Sequence, residues 1–154
     1  MTFENLNAEL QNLVGTSVSF SRVAANSLII YFFGEPEDDN VVSLFLDPTW
    51  RFEQNGKIVL GSFDLQIDEE DFESEQLYND EFERLATLKD SLNGSTLERV
   101  TLDFGTSDVC LKFSDRQIVR NFSNSAFDDK AWTYRNVPKK TTAYVSPLGI
   151  KLGS

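Results

Sequence analysis

A pattern that occurs twice constrains the fold of this chain more than any other sequence feature. Three segments of the first half each have a counterpart 79 to 82 residues later. These pairs are 13–18 with 92–97, 28–32 with 109–113, and 50–52 with 132–134. Each copy reads as a helix, a glycine, three strands and a tryptophan hairpin. We therefore expect two similar halves, 1–64 and 75–145, related by internal duplication. The alternative is that two antiparallel meanders look alike because Val, Leu and Phe alternate in both.

Short alternating segments bounded by turn residues predict antiparallel strands. In the first half these segments are Val18–Val23, Ser27–Phe33, Val41–Leu46, Trp50–Glu53 and Lys57–Leu60. Asn55-Gly56 separates the last two, which is a typical hairpin turn. Val109–Phe113 predicts a matching strand in the second half.

Two segments have the period of an amphipathic helix. Leu6, Leu10 and Leu13 form one stripe behind Thr2, a good N-cap, so a helix is expected over 3–13. Ser74 begins a second helical pattern that stops at Asn93-Gly94, which predicts a helix over 75–92.

These elements predict an α+β fold in a single domain covering 1–154. It consists of antiparallel β meanders from two similar halves, a short N-terminal helix, and one acidic helix between the halves. The halves are expected to pack about a pseudo-twofold axis. Either two sheets face each other, or the strands join one curved sheet.

The residues that usually carry catalysis are scarce. The sequence has no histidine and one cysteine, and its glycines do not match the spacing of phosphate-binding loops. The strand pattern around Cys110 indicates a small apolar filler, and the matched positions of Trp50 and Trp132 indicate core residues. We expect no cofactor, no metal and no enzymatic activity, with a hydrolase that uses carboxylates alone as the less favoured alternative.

The sequence also predicts a cytoplasmic protein without a membrane role. The first residues lack the basic and apolar regions of a secretory signal, and the longest apolar run, 28–33, is too short to span a bilayer. A single cysteine fits a reducing compartment.

Charge is the strongest indication of function. The net charge is −11, and eighteen of the 25 acidic residues lie within the first 83 positions, with three of the 14 basic ones. Phosphate is repelled by such a surface, so a basic protein is expected as partner and nucleic acid is not. The predicted partner-binding carboxylates are Asp68, Glu69, Glu70, Asp71, Glu73, Glu75, Asp80 and Glu81, together with Glu37, Asp38 and Asp39 of a loop. The alternative is that the acidity only maintains solubility.

A set of residues along the chain resembles small acidic bacterial immunity proteins of toxin systems (contact-dependent inhibition or polymorphic toxins), or a related bacterial family. The set comprises Gly15, Trp50-Arg51-Phe52, Ile58-Val59-Leu60-Gly61-Ser62 with Asp64, Phe113-Ser114-Asp115 and Trp132. The resemblance implies a non-enzymatic inhibitor, monomeric or dimeric, that neutralises a basic nuclease-like toxin by covering its active or a nearby surface. It assigns no binding residue. A structural or accessory protein that forms a homo-oligomer or scaffold is the alternative.

Overall fold

The computed structural model describes residues 1–153, so Ser154 lies outside the described residues. Two α-helices, α1 (Phe3–Gln11) and α2 (Glu75–Ala86), accompany the strands. The strands are β1 (Val18–Ala24), β2 (Ser27–Phe32), β3 (Val42–Leu46), β4 (Trp50–Gln54), β5 (Lys57–Gly61), β6 (Leu97–Leu102), β7 (Val109–Phe113), β8 (Gln117–Asn121), β9 (Trp132–Asn136), β10 (Thr141–Ser146) and β11 (Gly149–Gly153). Three short 3₁₀ helices cover Ser62–Leu65, Glu69–Asp71 and Thr87–Leu92.

The strands form two antiparallel sheets, which confirms the predicted α+β class. The six-stranded sheet has the order β1-β2-β3-β9-β10-β11, and the five-stranded sheet has the order β5-β4-β8-β7-β6. Each half gives a three-stranded meander to one sheet and then crosses to the other. Of the two arrangements left open by the sequence, the chain thus adopts two sheets. β11 lies beyond the predicted second half and adds a strand to the edge of the six-stranded sheet.

The halves meet in a reciprocal backbone contact between segments 15–18 and 94–97, centred on the bridge between Ser17 and Thr96. Its four hydrogen bonds run from the amides of Gly15 to Leu97 O (2.7 Å), Gly94 to Val18 O (2.8 Å), Leu97 to Thr16 O (2.9 Å) and Val18 to Ser95 O (2.8 Å). When each residue is exchanged for its counterpart 79 positions away, the bond from Gly15 becomes the bond from Gly94, and the bond from Leu97 becomes the bond from Val18. Gly15 and Gly94 also share a left-handed backbone, with φ of 90° and 83°, that a side chain would disfavour. A pseudo-twofold axis therefore passes through this contact, and the common ancestry of the halves stays a prediction.

The hydrophobic core lies between the sheets and contains residues from both halves, with Leu6 and Leu10 of α1 at its margin. Trp50 and Trp132 are fully buried in it. The indole of Trp50, on β4, donates to the carbonyl of Asn26, and the indole of Trp132, on β9, donates to Ser107, each over 2.8 Å. Both tryptophans are structural, as expected. Each one, however, ties its strand to a turn of the opposite sheet rather than covering the end of its own.

The helices follow the sequence signals closely. Thr2 caps α1 through the amide of Asn5 (3.1 Å), and α1 ends at Gln11, two residues before the predicted end. The predicted helix over 75–92 is continuous, but its last six residues, Thr87–Leu92, tighten into a 3₁₀ helix. No helix within residues 1–153 combines the length and apolar character needed to cross a membrane.

One expectation about the core is wrong. Val109, Leu111 and Phe113 of β7 face the core, so strand alternation directs Cys110 to the opposite face of the sheet. Cys110 is half-buried there, with its Sγ 3.7 Å from the guanidinium of Arg120. It is therefore not a core filler.

Candidate functional site

The predicted carboxylates of residues 68–81 lie on the surface. We call residues 68–83 the acidic segment; it comprises the 3₁₀ helix Glu69–Asp71 and most of α2. Asp68 caps the 3₁₀ helix through the amide of Glu70 (2.9 Å), and Ser74 caps α2 through the amide of Leu77 (3.2 Å). All acids of the segment are exposed except Glu81, which is half-buried.

The acidic segment has few basic neighbours. Within the described residues, its ion pair joins Glu81 to Arg84, with 2.6 Å between carboxylate and guanidinium. The hydrogen bond from Arg84 holds the pKa of Glu81 below its ordinary value. The other carboxylates of the segment form no ion pair within the described residues, although Asp80 accepts a hydrogen bond from the Gln76 amide (2.6 Å).

An apolar side chain stands among these acids. α2 has no fully buried residue, and it contacts the core only through the half-buried Phe82 and Leu85. Leu77 is 49% exposed, and Asp80 and Glu81, three and four residues further on, flank it on the helix surface. This combination of an apolar centre and a charged rim is typical of protein interfaces.

The loop acids occupy a different place. Glu37, Asp38 and Asp39 follow β2 and line a groove on the outer face of the six-stranded sheet, whereas no residue of the acidic segment lines it. Asp38 is turned back into its own loop, where its carboxylate accepts the amide of Glu35 (2.8 Å). The structure therefore brings the loop acids together with the groove rather than with the acidic segment.

This outer groove has a volume of about 650 Å³. Its floor consists of alternate residues of β1, β2, β3, β9 and β10, which the strand register arranges in two rows. One row is Arg22, Ile29, Phe45, Thr133 and Tyr144, and the other contains Tyr31, Ser43, Arg135 and Thr142.

The centre of the floor consists of polar side chains that lack hydrogen-bond or ion-pair partners within the described residues. Arg135 lies directly between Ser43 and Thr142 in the register, and Thr133 is two residues earlier on the same face of β9. Thr133 is 9% exposed, and its buried hydroxyl has no hydrogen-bond partner. Within the described residues, the side chains of Ser43 and Thr142 also form no hydrogen bond, and Arg135 forms no ion pair.

Two further cations, Arg22 of the floor and Lys130, line the groove. The guanidinium of Arg22 lies 5.9 Å from the ring centre of Tyr31, and the ammonium of Lys130 lies 5.2 Å from that of Phe45. Lys130 is also 3.6 Å from the carboxylate of Asp47. Burial raises the pKa of Asp47 above its ordinary value, against the opposing effect of Lys130.

The equivalent face of the five-stranded sheet is built differently. There Glu53 accepts hydrogen bonds from Arg51 (2.7 Å) and Arg120 (2.8 Å). The guanidinium of Arg51 also lies 5.0 Å from the ring centre of Phe122, so it both pairs with a carboxylate and stacks on an aromatic ring. Glu53 is thus paired with two arginines on this face, whereas Arg99 and Lys112 in the same row are exposed and form no ion pair within the described residues.

The outer groove was not predicted from the sequence. Thr133, Arg135 and Thr142 come from the consecutive strands β9 and β10, whereas Ser43 lies far from them in sequence, on β3. The sequence marks these residues only by local interruptions of apolar strands. Ser43 interrupts the apolar run of β3, and Thr133 and Arg135 alternate with large aromatic residues of β9. Nothing in that pattern shows that they meet.

Within residues 1–153, no three His, Cys, Asp or Glu side chains are grouped so that they could hold a metal ion. No protein-family model matches the sequence, and no curated protein or solved structure matches it either.

Proposed function

We propose that the protein is a non-enzymatic, cytoplasmic binding protein that inhibits a basic protein partner, in the manner of an immunity protein that neutralises a nuclease-like bacterial toxin. The observation that carries the proposal is the acidic segment, a surface element whose exposed carboxylates are almost without basic neighbours. Such a field attracts a basic surface from a distance and raises the rate of association.

Contact within the complex is expected to centre on α2. Leu77 supplies an apolar anchor at about half exposure, and Phe63, 59% exposed, precedes the segment in the chain. Asp80 and Glu81 beside Leu77 would meet Lys or Arg side chains of the partner. Inhibition would follow from occlusion, because those cations would no longer be available to a phosphate substrate.

The first test is to recover the tagged protein from its own cells at low salt and to identify what is retained. We expect one basic protein at a one-to-one ratio that a high-salt wash releases, since screening weakens attraction between exposed charges. Retention of no protein would contradict the proposal.

The second test locates the surface with a pair of matched triple variants. The first variant neutralises three exposed acids of the acidic segment, Glu70→Gln, Asp71→Asn and Asp80→Asn. The control changes the net charge equally at exposed sites elsewhere, Glu4→Gln, Glu98→Gln and Asp129→Asn.

With the recovered partner, the segment variant should associate on the order of tenfold more slowly at low salt and show a flatter salt dependence. The control should stay near the parent rate. Equal effects of the two variants would mean that only net charge matters, and the placement of the interface on α2 would be wrong.

A second candidate function rests on the edge of the six-stranded sheet. β11 is an edge strand, and Leu148 and Leu152 beside and within it are both exposed. Exposed edge strands pair readily with further strands, which would support a homo-oligomer or scaffold. Light scattering at increasing protein concentration distinguishes this alternative, because a mass that stays that of a monomer excludes it.

A further inference from the structure

We propose that the outer groove binds a small organic ligand that carries one oxyanion, a carboxylate or a phosphate monoester, with Arg135 as the main contact. The site is separate from the acidic segment and does not depend on the function proposed for it. It is assembled by strand register from β3, β9 and β10.

The donors around Arg135 match an oxyanion. Side chains directly opposed on neighbouring strands have Cβ atoms about 5 Å apart, so the hydroxyls of Ser43 and Thr142 flank the base of the exposed Arg135 side chain. Guanidinium and hydroxyl groups all donate hydrogen bonds, and an arginine fork fits carboxylate and phosphate oxygens in pairs. The arrangement offers an anion several donors at once.

The Thr133 hydroxyl is the second, independent observation. A buried hydroxyl without a partner is unfavourable. Four buried side-chain atoms of the described residues lack a hydrogen bond, on Asp47, Gln117, Asn121 and Thr133, and among these four residues Thr133 alone lines the groove. Thr133 lies two residues from Arg135 on the floor of the groove, and its oxygen is covered by its neighbours. Contact with a ligand oxygen would require the side chains that cover this hydroxyl to move aside on binding.

The surroundings narrow the class of ligand. Glu37 and Asp39 at the rim repel nucleic acid and other polyanions, so a single oxyanion on a neutral or cationic body is favoured. The rings of Tyr31, Phe45 and Tyr144 border the polar centre in the register, and they provide flat surfaces for the body of the ligand.

The test uses two probes, inorganic phosphate and phenyl phosphate, titrated into ¹⁵N-labelled full-length protein and followed by NMR. We expect saturable shifts of amides around Ser43, Thr133 and Arg135, with phenyl phosphate binding more tightly because of its ring. Arg135→Gln should weaken phenyl phosphate about tenfold or more, whereas Arg99→Gln, an exposed arginine of the other sheet, should leave it unchanged.

Thr133→Val tests the unsatisfied hydroxyl with a side chain of the same shape. The variant should melt at the same or a higher temperature than the parent and bind phenyl phosphate several-fold more weakly. The proposal is overturned by shifts that do not saturate, by equal losses in the Arg135 and Arg99 variants, or by Thr133→Val that binds as the parent does.

Discussion

The two buried tryptophans allow a quantitative test of how the sheets are joined. Replacing either one with Phe removes an indole hydrogen bond of 2.8 Å and part of a fully buried ring. The acceptor of Trp132 is the carbonyl of Ser107, which is fully buried, whereas the acceptor of Trp50 belongs to the half-buried Asn26. Water can replace the lost donor at Asn26 but not at Ser107.

The expected costs follow from that difference. Lost packing accounts for about 1–2 kcal/mol in each variant, and an acceptor left unpaired in the interior adds about 1–3 kcal/mol. Trp132→Phe should therefore lower the free energy of unfolding by about 2–5 kcal/mol, the sum of both terms, and Trp50→Phe by about 1–2 kcal/mol, the packing term alone. Urea unfolding followed by far-UV circular dichroism measures both. The reasoning is refuted if either variant costs less than about 1 kcal/mol, or if Trp50→Phe is the more damaging.

Three other predictions concern single side chains. Lys89 is buried at the position that Leu10 occupies in the first half, and its ammonium pairs with the carboxylate of Asp90 (2.5 Å), which is itself exposed and stays hydrated without the pair. Lys89→Met should therefore raise the free energy of unfolding by about 1 kcal/mol; a loss in urea unfolding would show that the ion pair is needed. Burial opposes the ionisation of Glu53, but hydrogen bonds from two arginines outweigh it and hold its pKa below the ordinary value. The stability that its charge confers is thus complete above the unfolded-state pKa and is lost as the pH falls through the folded-state pKa. The difference in unfolding free energy between the parent and Glu53→Gln should shrink between about pH 6 and pH 3, and a constant difference would contradict this. Burial raises the pKa of Tyr134 to about 12, so an alkaline absorbance titration should show one late-ionising tyrosine that is missing in Tyr134→Phe; persistence of the late step would contradict the assignment.

Local sequence signals were sufficient for most secondary structure. Thr2 and Ser74 mark helix starts because a side-chain oxygen satisfies amides that the first turn leaves free. The Asn55-Gly56 turn sets the β4–β5 hairpin for the same kind of local reason, since both residues have positive φ. Each of these features depends on neighbours in the chain and can be read without knowing the fold.

The path of the chain between sheets could not be predicted in this way. The repeated pattern indicated two equivalent halves, but it did not show that each half would place strands in both sheets. The pairing of β3 with β9 depends on how two distant strands bury their apolar faces together, and it joins the two parts of the outer groove, β1–β3 and β9–β10. The prediction grouped Glu37 and Asp39 with the acidic segment because all of these residues are acidic. The fold instead places the two loop acids beside a groove floor that contains Arg22 and Arg135.

The outer faces of the two sheets diverge where the pseudo-twofold relation would make them alike. The register matches Glu53 of the five-stranded sheet with Arg135 of the six-stranded sheet, and Arg51 with Thr133. On the first face Glu53 pairs with Arg51 and Arg120. On the second face the guanidinium of Arg135 has no carboxylate partner within the described residues, and the hydroxyl of Thr133 on the same face is buried without a partner.

Residues facing the core are held by packing against the other half, whereas outer-face residues are free to change. A face that only had to remain soluble would gain from losing the unpaired hydroxyl, which costs about 1–3 kcal/mol. Its presence beside Arg135 is therefore better explained by a bound oxyanion than by the stability of the fold.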